Sequence, residues 1–240
     1  MDWRKRAYNK YYEDYLVFAR GSQSIAVTQK RFVVWDKQYG RFLPKDKQAK
    51  IVDVGCGRGE IVFWLKERGY GNTIGIEADR NQVESARNFG LDKIELGDFR
   101  EFLRNRKNYF DCIIARDVIE HFGKAEIFEA LDILYAALKS DGTMIVQTPN
   151  AASLLGNYYR YYDFTHCLGF SQTSLHHVLR TVGFSKVVFY PARPVIHGLK
   201  SFVRHLLWRF IELVQAFYLL IETGSGREIF TLNIIAVARK

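Results

Sequence analysis

The sequence has few of the residues that cross-link or stiffen a chain. Among its 240 residues there are only three cysteines and four prolines. Because Cys56, Cys112 and Cys167 are odd in number and far apart, we expect neither a disulfide framework nor a zinc site. This pattern favours a reducing cytoplasm. The composition, 48% hydrophobic and 25% charged, excludes a disordered or fibrous chain.

The sequence also lacks a hydrophobic run long enough to cross a bilayer. Its charged N-terminus is not followed by the apolar segment of a signal peptide. The most apolar stretch, about residues 197–222, is interrupted by Arg204, Arg209 and Glu212. Its longest uncharged run is far shorter than the ~20 residues that span a membrane. These absences predict a cytoplasmic protein.

Positive charge is concentrated at the start of the chain. The formal net charge is +9, and residues 1–50 contribute +7 of it, with 12 Lys or Arg against 5 Asp or Glu. A basic surface attracts phosphate, nucleic acid or acidic lipid, and it can equally serve solubility alone. Because no basic and aromatic module typical of RNA binding is recognisable, nucleic acid is the less favoured partner.

From residue 50 onward, apolar runs alternate with helical patterns. Strands are predicted at 51–54, 72–77, 93–96, 110–115 and 143–148, and helices at 59–68, 80–89 and 124–139. This alternation is typical of a doubly wound, mostly parallel sheet. After a helix at 174–182, two strands at 186–190 and 230–238 predict an antiparallel hairpin at the edge of a seven-stranded α/β sheet.

The predicted organisation has four parts. A helical cap (residues 1–49) precedes a core (50–190), which is followed by a helical insertion (191–228) and the last strand of the core (229–240).

The most informative segment is Ile51-Val-Asp-Val-Gly-Cys-Gly-Arg-Gly-Glu60. A strand containing Asp53 leads to Gly55, Gly57 and Gly59, after which a helix begins. Glycines let the backbone turn tightly against a ligand, and the start of a helix attracts an anionic group. Glu60 stands where a dinucleotide fingerprint requires its third glycine, which argues against NAD.

Two more acidic residues follow at strand ends. Glu77 ends the second strand, and Asp98 follows the third. Glu77 can accept hydrogen bonds from two ribose hydroxyls, and Asp98 can accept one from an adenine amino group whose ring Phe99 covers. Each alone is better explained as a cap at the end of its strand. Together, at these intervals, they predict a cofactor site.

These motifs resemble those of class I S-adenosylmethionine-dependent methyltransferases. The matching segments are 51–60, 74–79, 97–99 and 111–122. Further motifs are similar to methyltransferases of bacterial surface-polysaccharide clusters: Phe18-Ala-Arg-Gly-Ser22, Asp117-Val-Ile-Glu-His121, Thr148-Pro-Asn150 and Asp163-Phe-Thr-His166. The resemblance covers about residues 15–190 and implies a Rossmann-like methyltransferase fold with S-adenosylmethionine as cofactor.

The resemblance also implies roles at the methionine end of that cofactor. Arg116 follows the fourth strand and would contact the cofactor mostly through its backbone. Arg20 is a candidate partner of the cofactor carboxylate, because a guanidinium pairs with it bidentately. A surface arginine in a turn is the alternative explanation for Arg20.

Methyl transfer from a sulfonium needs mainly positioning and exclusion of water. An alcohol acceptor must also lose a proton, whereas a phosphate acceptor needs no base. We expect His166 to be the base, oriented by Asp163, with His121 as the second candidate. Either histidine is also compatible with a structural role. The spacing of acidic and histidine residues predicts no metal site.

A tyrosine-rich segment follows the fifth strand. Tyr158-Tyr-Arg-Tyr-Tyr162, together with Tyr8, Tyr11, Tyr12 and Tyr15, contains eight of the 14 tyrosines. Aromatic faces stack on sugar rings, and Arg160 can bind a phosphate or carboxylate. Tyr158, Arg160, Tyr162 and Asn150 are therefore the candidate acceptor-binding residues, although some tyrosines will pack the core of a lid.

Four functions remain open from the sequence. The first is O-methylation of a sugar or sugar phosphate of a glycan or lipid-linked saccharide, and the second is O-methylation of a quinone or other small phenol. RNA methylation is less favoured, because Thr148-Pro-Asn-Ala151 lacks the signature of base-amine methylation. The intact glycine loop argues against the fourth, a non-catalytic assembly protein.

The insertion contains a helix with an unusual pattern. Lys200, Arg204, Trp208, Glu212 and Gln215 recur at helical intervals, and the remaining residues are strongly apolar. So wide an apolar face must be covered. Three coverings are open: the domain itself, a second copy in a homodimer, or the inner face of a membrane with anionic headgroups.

Overall fold

Seven strands form one sheet in the computed structural model, which describes residue 7 and residues 25–88 and 90–240. The strands are β1 (Ile51–Val54), β2 (Thr73–Glu77), β3 (Ile94–Leu96), β4 (Phe110–Arg116), β5 (Leu138–Pro149), β6 (Lys186–Pro191) and β7 (Asn233–Arg239). Their order is β3-β2-β1-β4-β5-β7-β6. The first five strands are parallel, and β7 runs antiparallel between β5 and β6. The expected sheet with its antiparallel edge hairpin is confirmed.

Helices cover both faces of this sheet. The α-helices of the described residues are α1 (Ile25–Gln38), α2 (Glu60–Glu67), α3 (Arg80–Asn88), α4 (Phe99–Arg104), α5 (Ile127–Ala137), α6 (Gly156–Tyr162), α7 (Gln172–Val182) and α8 (Leu199–Thr223). Successive strand residues point to opposite faces. Val52 and Ile113 pack with α4, α5 and α7, whereas Ile51 and Ile114 pack with α1 and α2. Because both faces are covered, the carboxyl ends of the parallel strands are left for a ligand.

Helix α1 is fixed to the sheet through aromatic and charged side chains. Trp35 meets the buried Trp64 of α2 edge-on, with 6.1 Å between ring centroids. Asp36 accepts hydrogen bonds from the indole of Trp64 at 2.9 Å and from the guanidinium of Arg68 at 2.7 Å. The hydrogen bond from Arg68 holds the pKa of Asp36 below its ordinary value. The N-terminal segment therefore supports α2, which begins at the glycine loop.

The fifth strand begins earlier than the sequence indicates. It starts at Leu138 rather than Thr143, and the preceding helix ends at Ala137. Leu138 is extended and pairs with Phe110, so the helical pattern cannot continue through it. A shift in the β4–β5 register follows, and Asp141 adopts a left-handed conformation within the irregular segment.

Helix α8 makes up most of the insertion. Ser201, Glu212 and Gln215 on its polar side are buried, whereas its large apolar side chains are mostly exposed. The side that carries these three residues, and not the apolar face, therefore packs against the chain that precedes the helix, whereas Lys200 and Arg204 of the predicted polar stripe are exposed. Among the described residues, no helix is both long enough and apolar enough to cross a bilayer.

Candidate active site

A cavity of about 300 Å³ lies at the carboxyl ends of the first four strands. Its size is suited to a small-molecule cofactor. The lining combines the glycine loop, the ends of β2, β3 and β4, and the segment before α7. The polar and glycine residues of the lining include Gly55, Gly57, Arg58, Glu60, Glu77, Gln82, Asp98, Arg100, Arg116, Asp117, His121, Asp163 and His166.

The glycine loop requires glycine for two reasons. Gly55, Gly57 and Gly59 have φ values of 61°, 57° and 73°, a left-handed conformation that side chains disfavour. A Cβ atom on Gly55 would also lie 2.5 Å from Cγ2 of Val118. Gly59 is the N-cap of α2, so the backbone turns directly from the strand into a helix whose start faces the cavity.

Glu77 connects the end of β2 to this loop. One carboxylate oxygen accepts a hydrogen bond from the Gly57 amide at 2.8 Å, and the other accepts one from the Asp79 amide at 2.9 Å. Burial raises the pKa of Glu77, and the two backbone hydrogen bonds oppose that rise. Each carboxylate oxygen has a second lone pair, so the group can still accept hydrogen bonds from ribose hydroxyls.

Asp98 has two roles at the end of β3. It is the N-cap of α4, accepting a hydrogen bond from the Arg100 amide at 2.8 Å, and it lines the cavity. Burial alone would raise its pKa, but hydrogen bonds and charge from Arg100 hold the pKa below its ordinary value. Phe99 is buried beside it and meets Phe122 edge-on at 5.8 Å.

Arginines gather around Glu60 in the first turn of α2. Arg31, Arg58 and Arg116 lie within 3.6, 3.8 and 3.4 Å of its carboxylate. Burial opposes the charge of Arg116, but Glu60 and other nearby acidic groups outweigh it and raise the pKa. Arg58 and Arg116 line the cavity, so a ligand carboxylate would meet guanidinium groups there. The candidate Arg20 lies outside the described residues.

Asp53 occupies a different position from the other acidic candidates. It is buried on β1 and is not among the described residues that line the cavity. Burial raises its pKa to about 7, with Arg116 opposing the rise and Glu77 adding to it. A direct contact between Asp53 and the cofactor stays a prediction.

Asp117 is fixed by contacts that sequence analysis does not reveal. This residue follows β4 with φ of 58°, a strained conformation for a non-glycine residue. Its amide donates to the Gln147 carbonyl at 2.9 Å, and its carboxylate accepts from the Gln147 side chain at 3.1 Å. The buried hydroxyl of Tyr39 donates to Gln147 in turn. Tyr39 of the N-terminal segment and Gln147 of β5 thus hold the backbone of Asp117 in place at the wall of the cavity.

The acceptor side is assembled around Glu120. Its backbone carbonyl accepts from the amides of Cys167 at 2.7 Å and Leu168 at 2.9 Å, which fixes residues 163–168 beside β4. Thr148 donates to Oε2 at 3.0 Å, whereas the buried Oε1 has no hydrogen-bond partner among the described residues. Burial raises the pKa of Glu120 well above its ordinary value, and the charge of Asp117 acts in the same direction.

The surroundings of His166 define its tautomer. Its Nδ1 lies 3.0 Å from the backbone carbonyl of Tyr159, which can only accept a hydrogen bond. Nδ1 must therefore carry the proton, and neutral His166 has its lone pair on Nε2. This atom lies 4.0 Å from Glu120 Oε1 and 4.0 Å from Asp163 Oδ2, in a side chain that lines the cavity.

Asp163 lies beside both histidines, and its orientation of His166, whose Nε2 is 4.0 Å from Oδ2, stays a prediction. Its Oδ1 accepts hydrogen bonds from the Thr165 amide at 2.8 Å and the Thr165 hydroxyl at 2.6 Å. The same hydroxyl lies 2.9 Å from Nδ1 of His121, so it accepts the proton of that nitrogen. Asp163 acts on His121 through Thr165, while the Tyr159 carbonyl orients His166.

The two imidazoles are close neighbours. The rings of His121 and His166 meet edge-on with centroids 4.9 Å apart. Burial lowers the pKa of His121 to about 4, and the neighbouring His166 contributes to the shift. His121 is therefore neutral at physiological pH. One ligand atom each from Glu120, His121 and His166 lies within 4.8 Å of the others, so these three residues could hold a cation.

Two further candidates for binding the acceptor, Arg160 and Asn150, use their side chains to bond backbone carbonyls. Arg160 donates to the carbonyls of His166 and Cys167, and the buried Asn150 amide donates to the carbonyls of Ile229 and Thr231.

Tyr158 and Tyr162 pack together with ring centroids 5.5 Å apart and stay exposed on α6. Neither Arg160 nor Asn150 is among the described residues that line the cavity, and the same is true of the two tyrosines. Acceptor binding by these four residues stays a prediction.

Comparison with known proteins agrees with this geometry. A family model described as a methyltransferase domain matches residues 27–188. The chain therefore belongs to the methyltransferase domain family and is a class I S-adenosylmethionine-dependent methyltransferase, with S-adenosylmethionine as its cofactor. A structure of such an enzyme from Archaeoglobus fulgidus superposes with a TM-score of 0.69 at 22% identity, covering 96% of this chain and all of the other, which shows the shared fold.

Curated relatives match over shorter segments. The mitochondrial ubiquinone biosynthesis O-methyltransferase of Rattus norvegicus is 29% identical over 113 residues, covering 44% of this chain and 32% of the relative. Methoxy mycolic acid synthase MmaA3 of Mycobacterium tuberculosis is 29% identical over 102 residues, covering 41% and 34%. The chain thus matches about a third of the length of these relatives.

Proposed function

We propose that this methyltransferase O-methylates a hydroxyl group of a sugar or sugar phosphate in a glycan or lipid-linked saccharide. The observation that supports this most is the orientation of His166. A carbonyl acceptor holds the proton on Nδ1, and the basic Nε2 belongs to a side chain lining the cofactor cavity. An alcohol needs such a base, whereas a phosphate acceptor does not.

The chemical step then balances as a single displacement. The hydroxyl oxygen forms a bond to the methyl carbon as the bond between that carbon and the sulfonium breaks, giving a methyl ether and S-adenosylhomocysteine. Nε2 of His166 takes the hydroxyl proton. The carboxylate of Asp163, whose Oδ2 lies 4.0 Å from Nε2, would stabilise the resulting imidazolium.

A saccharide acceptor is supported by the aromatic side chains on α6. Tyr158 and Tyr161 are 58% and 78% exposed, and the neighbouring Tyr159 carries the carbonyl that orients His166. Aromatic faces stack on sugar rings, and phenol hydroxyls bond to sugar hydroxyls. A lipid-linked acceptor would place the enzyme at the inner face of a membrane, which is the second part of this proposal.

A quinone or other small phenol is the second candidate acceptor. It is favoured by the relatives, which include ubiquinone biosynthesis O-methyltransferases. A phenol ionises near pH 10, far more readily than a sugar hydroxyl. At high pH a phenol loses its proton without help from His166, whereas a sugar hydroxyl does not. The two acceptor classes therefore depend on His166 to different degrees.

The test is methyl transfer to a panel of acceptors, followed by mass spectrometry. The panel contains lipid-linked saccharides, free sugar phosphates and a catechol, each incubated with the intact protein and with His166→Ala. A mass gain of one methylene on a saccharide, lost in the variant, supports the proposal. A gain on the catechol alone, restored in the variant at high pH, would transfer the function to phenols.

A chelator separates a base mechanism from a cation mechanism. We expect transfer to continue in EDTA, because His166 performs the deprotonation. Activity lost in EDTA and restored by Mg²⁺ would instead assign Glu120, His121 and His166 to a bound cation.

A further inference from the structure

Helix α8 presents its apolar side to solvent. The helix has 25 residues and is about 37 Å long. An amphipathic helix of a globular domain normally turns its apolar face to the core. In α8 the buried positions are polar, and the exposed large apolar side chains are Leu199, Phe202, Val203, Leu206, Leu207, Phe210, Ile211, Leu213, Val214, Phe217, Tyr218, Leu220 and Ile221.

The inverted orientation is fixed by specific contacts. Glu212 accepts hydrogen bonds from Arg193 at 2.8 Å and from Arg209 at 3.0 Å. Ser201 accepts from the His197 amide at 2.8 Å. His205 contacts the Pro194 carbonyl through Nδ1 at 2.8 Å. These polar contacts join α8 to the chain that precedes it. They hold the polar side of the helix inward, and the apolar face therefore points to solvent.

The width of the exposed face decides what can cover it. At about 100° per residue, the exposed apolar side chains span roughly half of the helix circumference, centred opposite the buried stripe. Pairing with one helix of a second copy covers a narrower seam and would leave much of this face in water. A flat apolar medium, such as the boundary between lipid headgroups and acyl chains, covers all of it.

Positive charge borders the N-terminal half of the apolar face, while the exposed Glu222 lies in the last turn of the helix. Lys200 and Arg204 are exposed toward one border, and Arg209 lies toward the other. Lysine and arginine at such borders extend to phosphate while their stems stay in apolar surroundings. This arrangement complements anionic lipid headgroups.

We propose that α8 lies in the plane of an anionic membrane surface, with its apolar face in the boundary between headgroups and acyl chains. The inference deepens the proposed function, because a lipid-linked acceptor would then meet the enzyme at that surface. It is carried by the contacts and exposure of α8, so its test uses binding rather than methyl transfer. Failure of membrane binding would leave the assignment of His166 untouched.

The test is flotation of the full chain with vesicles in a density gradient at low salt. One vesicle population contains phosphatidylcholine alone, and the other contains phosphatidylcholine with phosphatidylglycerol. We expect the protein to float with the anionic vesicles. Changing Leu206, Leu207 and Phe210 to Ser should abolish flotation, whereas a matched control that changes Ile25, Tyr109 and Phe128 to Ser should still float. Ile25, Tyr109 and Phe128 are also exposed but lie on other elements.

Two further measurements make the result decisive. Binding of S-adenosylmethionine by every variant shows that it is folded. The double variant Lys200→Gln with Arg204→Gln should weaken partitioning onto anionic vesicles by roughly thirtyfold. The proposal is overturned if the intact protein stays in the soluble fraction with both vesicle populations, whether light scattering then shows a monomer or a dimer. Equal flotation of the Leu206, Leu207 and Phe210 variant would also overturn it.

Discussion

The two sides of the cavity are built in different ways. On the cofactor side, Glu77 and Asp98 are held by backbone amides of the glycine loop or of the next few residues. On the acceptor side, Glu120 and His121 are held by the side chains of Thr148 and Thr165, and His166 is held by the Tyr159 carbonyl. The cofactor side is therefore built from backbone amides at the ends of neighbouring strands, whereas the acceptor chemistry depends on how side chains of β5 and of the segments after β4 and before α7 pack together.

This difference predicts that substitutions on the two sides separate in their effects. Changes on the acceptor side should alter turnover or local stability while the cofactor still binds. Changes on the cofactor side should alter the dissociation constant of S-adenosylmethionine.

The largest effect is expected from His166→Ala. Loss of the base should lower turnover by about 10²–10⁴ for a sugar hydroxyl. Because the cofactor side is built separately, the dissociation constant of S-adenosylmethionine should change little. Steady-state kinetics and calorimetric titration of the same preparation measure both quantities. An unchanged rate would remove His166 from the mechanism.

His121 should make the protein sensitive to acid. Its pKa is about 4 in the fold and about 6.5 in the unfolded chain. Between these values the unfolded chain binds more protons, so the free energy of unfolding should fall as the pH falls from 6.5 to 4. The full contribution is on the order of 3 kcal/mol.

His121→Asn tests this pH dependence, since asparagine keeps a donor for Thr165 but does not titrate. As the pH falls from 6.5 to 4, the wild type should lose stability that the variant does not lose. The advantage of the wild type in unfolding free energy should therefore decrease over this range. A constant difference would contradict the buried, neutral state of His121.

A smaller effect is expected from Thr148→Val. The substitution removes the hydroxyl that donates to Glu120 Oε2, leaving a buried carboxyl group with one hydrogen bond fewer. The free energy of unfolding should fall by about 1–3 kcal/mol. Thr148→Ser keeps the hydroxyl and should retain most of the stability. Denaturant unfolding measures the difference, and equal stability of the valine variant would mean that the hydrogen bond contributes nothing.

The sequence predicts the cofactor side better than the acceptor side for the same physical reason. The order of strands and helices and the glycine loop are encoded by nearby residues, so periodicity and spacing are enough to predict them. Thr165 and the Tyr159 carbonyl cannot be recognised in this way, because each becomes important only through a partner brought close by folding. The short helices α4 and α6, with six and seven residues, also leave too little periodicity to predict them.

Helix α8 shows a second limit of sequence-based prediction. Its period identifies Glu212 and Gln215 as one side of the helix but misses Ser201, and amphipathicity alone does not say which side is buried. The paired Glu212 reverses the usual orientation, and that pairing depends on Arg193 in the segment before the helix.

The most direct test of the separation between the two sides is calorimetric titration of S-adenosylmethionine into wild type, Glu77→Ala and His166→Ala under the same conditions. Glu77→Ala removes the partner of two ribose hydroxyls, and each lost hydrogen bond costs roughly 1–3 kcal/mol. We expect its dissociation constant to rise at least about tenfold, while His166→Ala keeps the wild-type value. Wild-type affinity in Glu77→Ala, or an equal loss in both variants, would contradict the account.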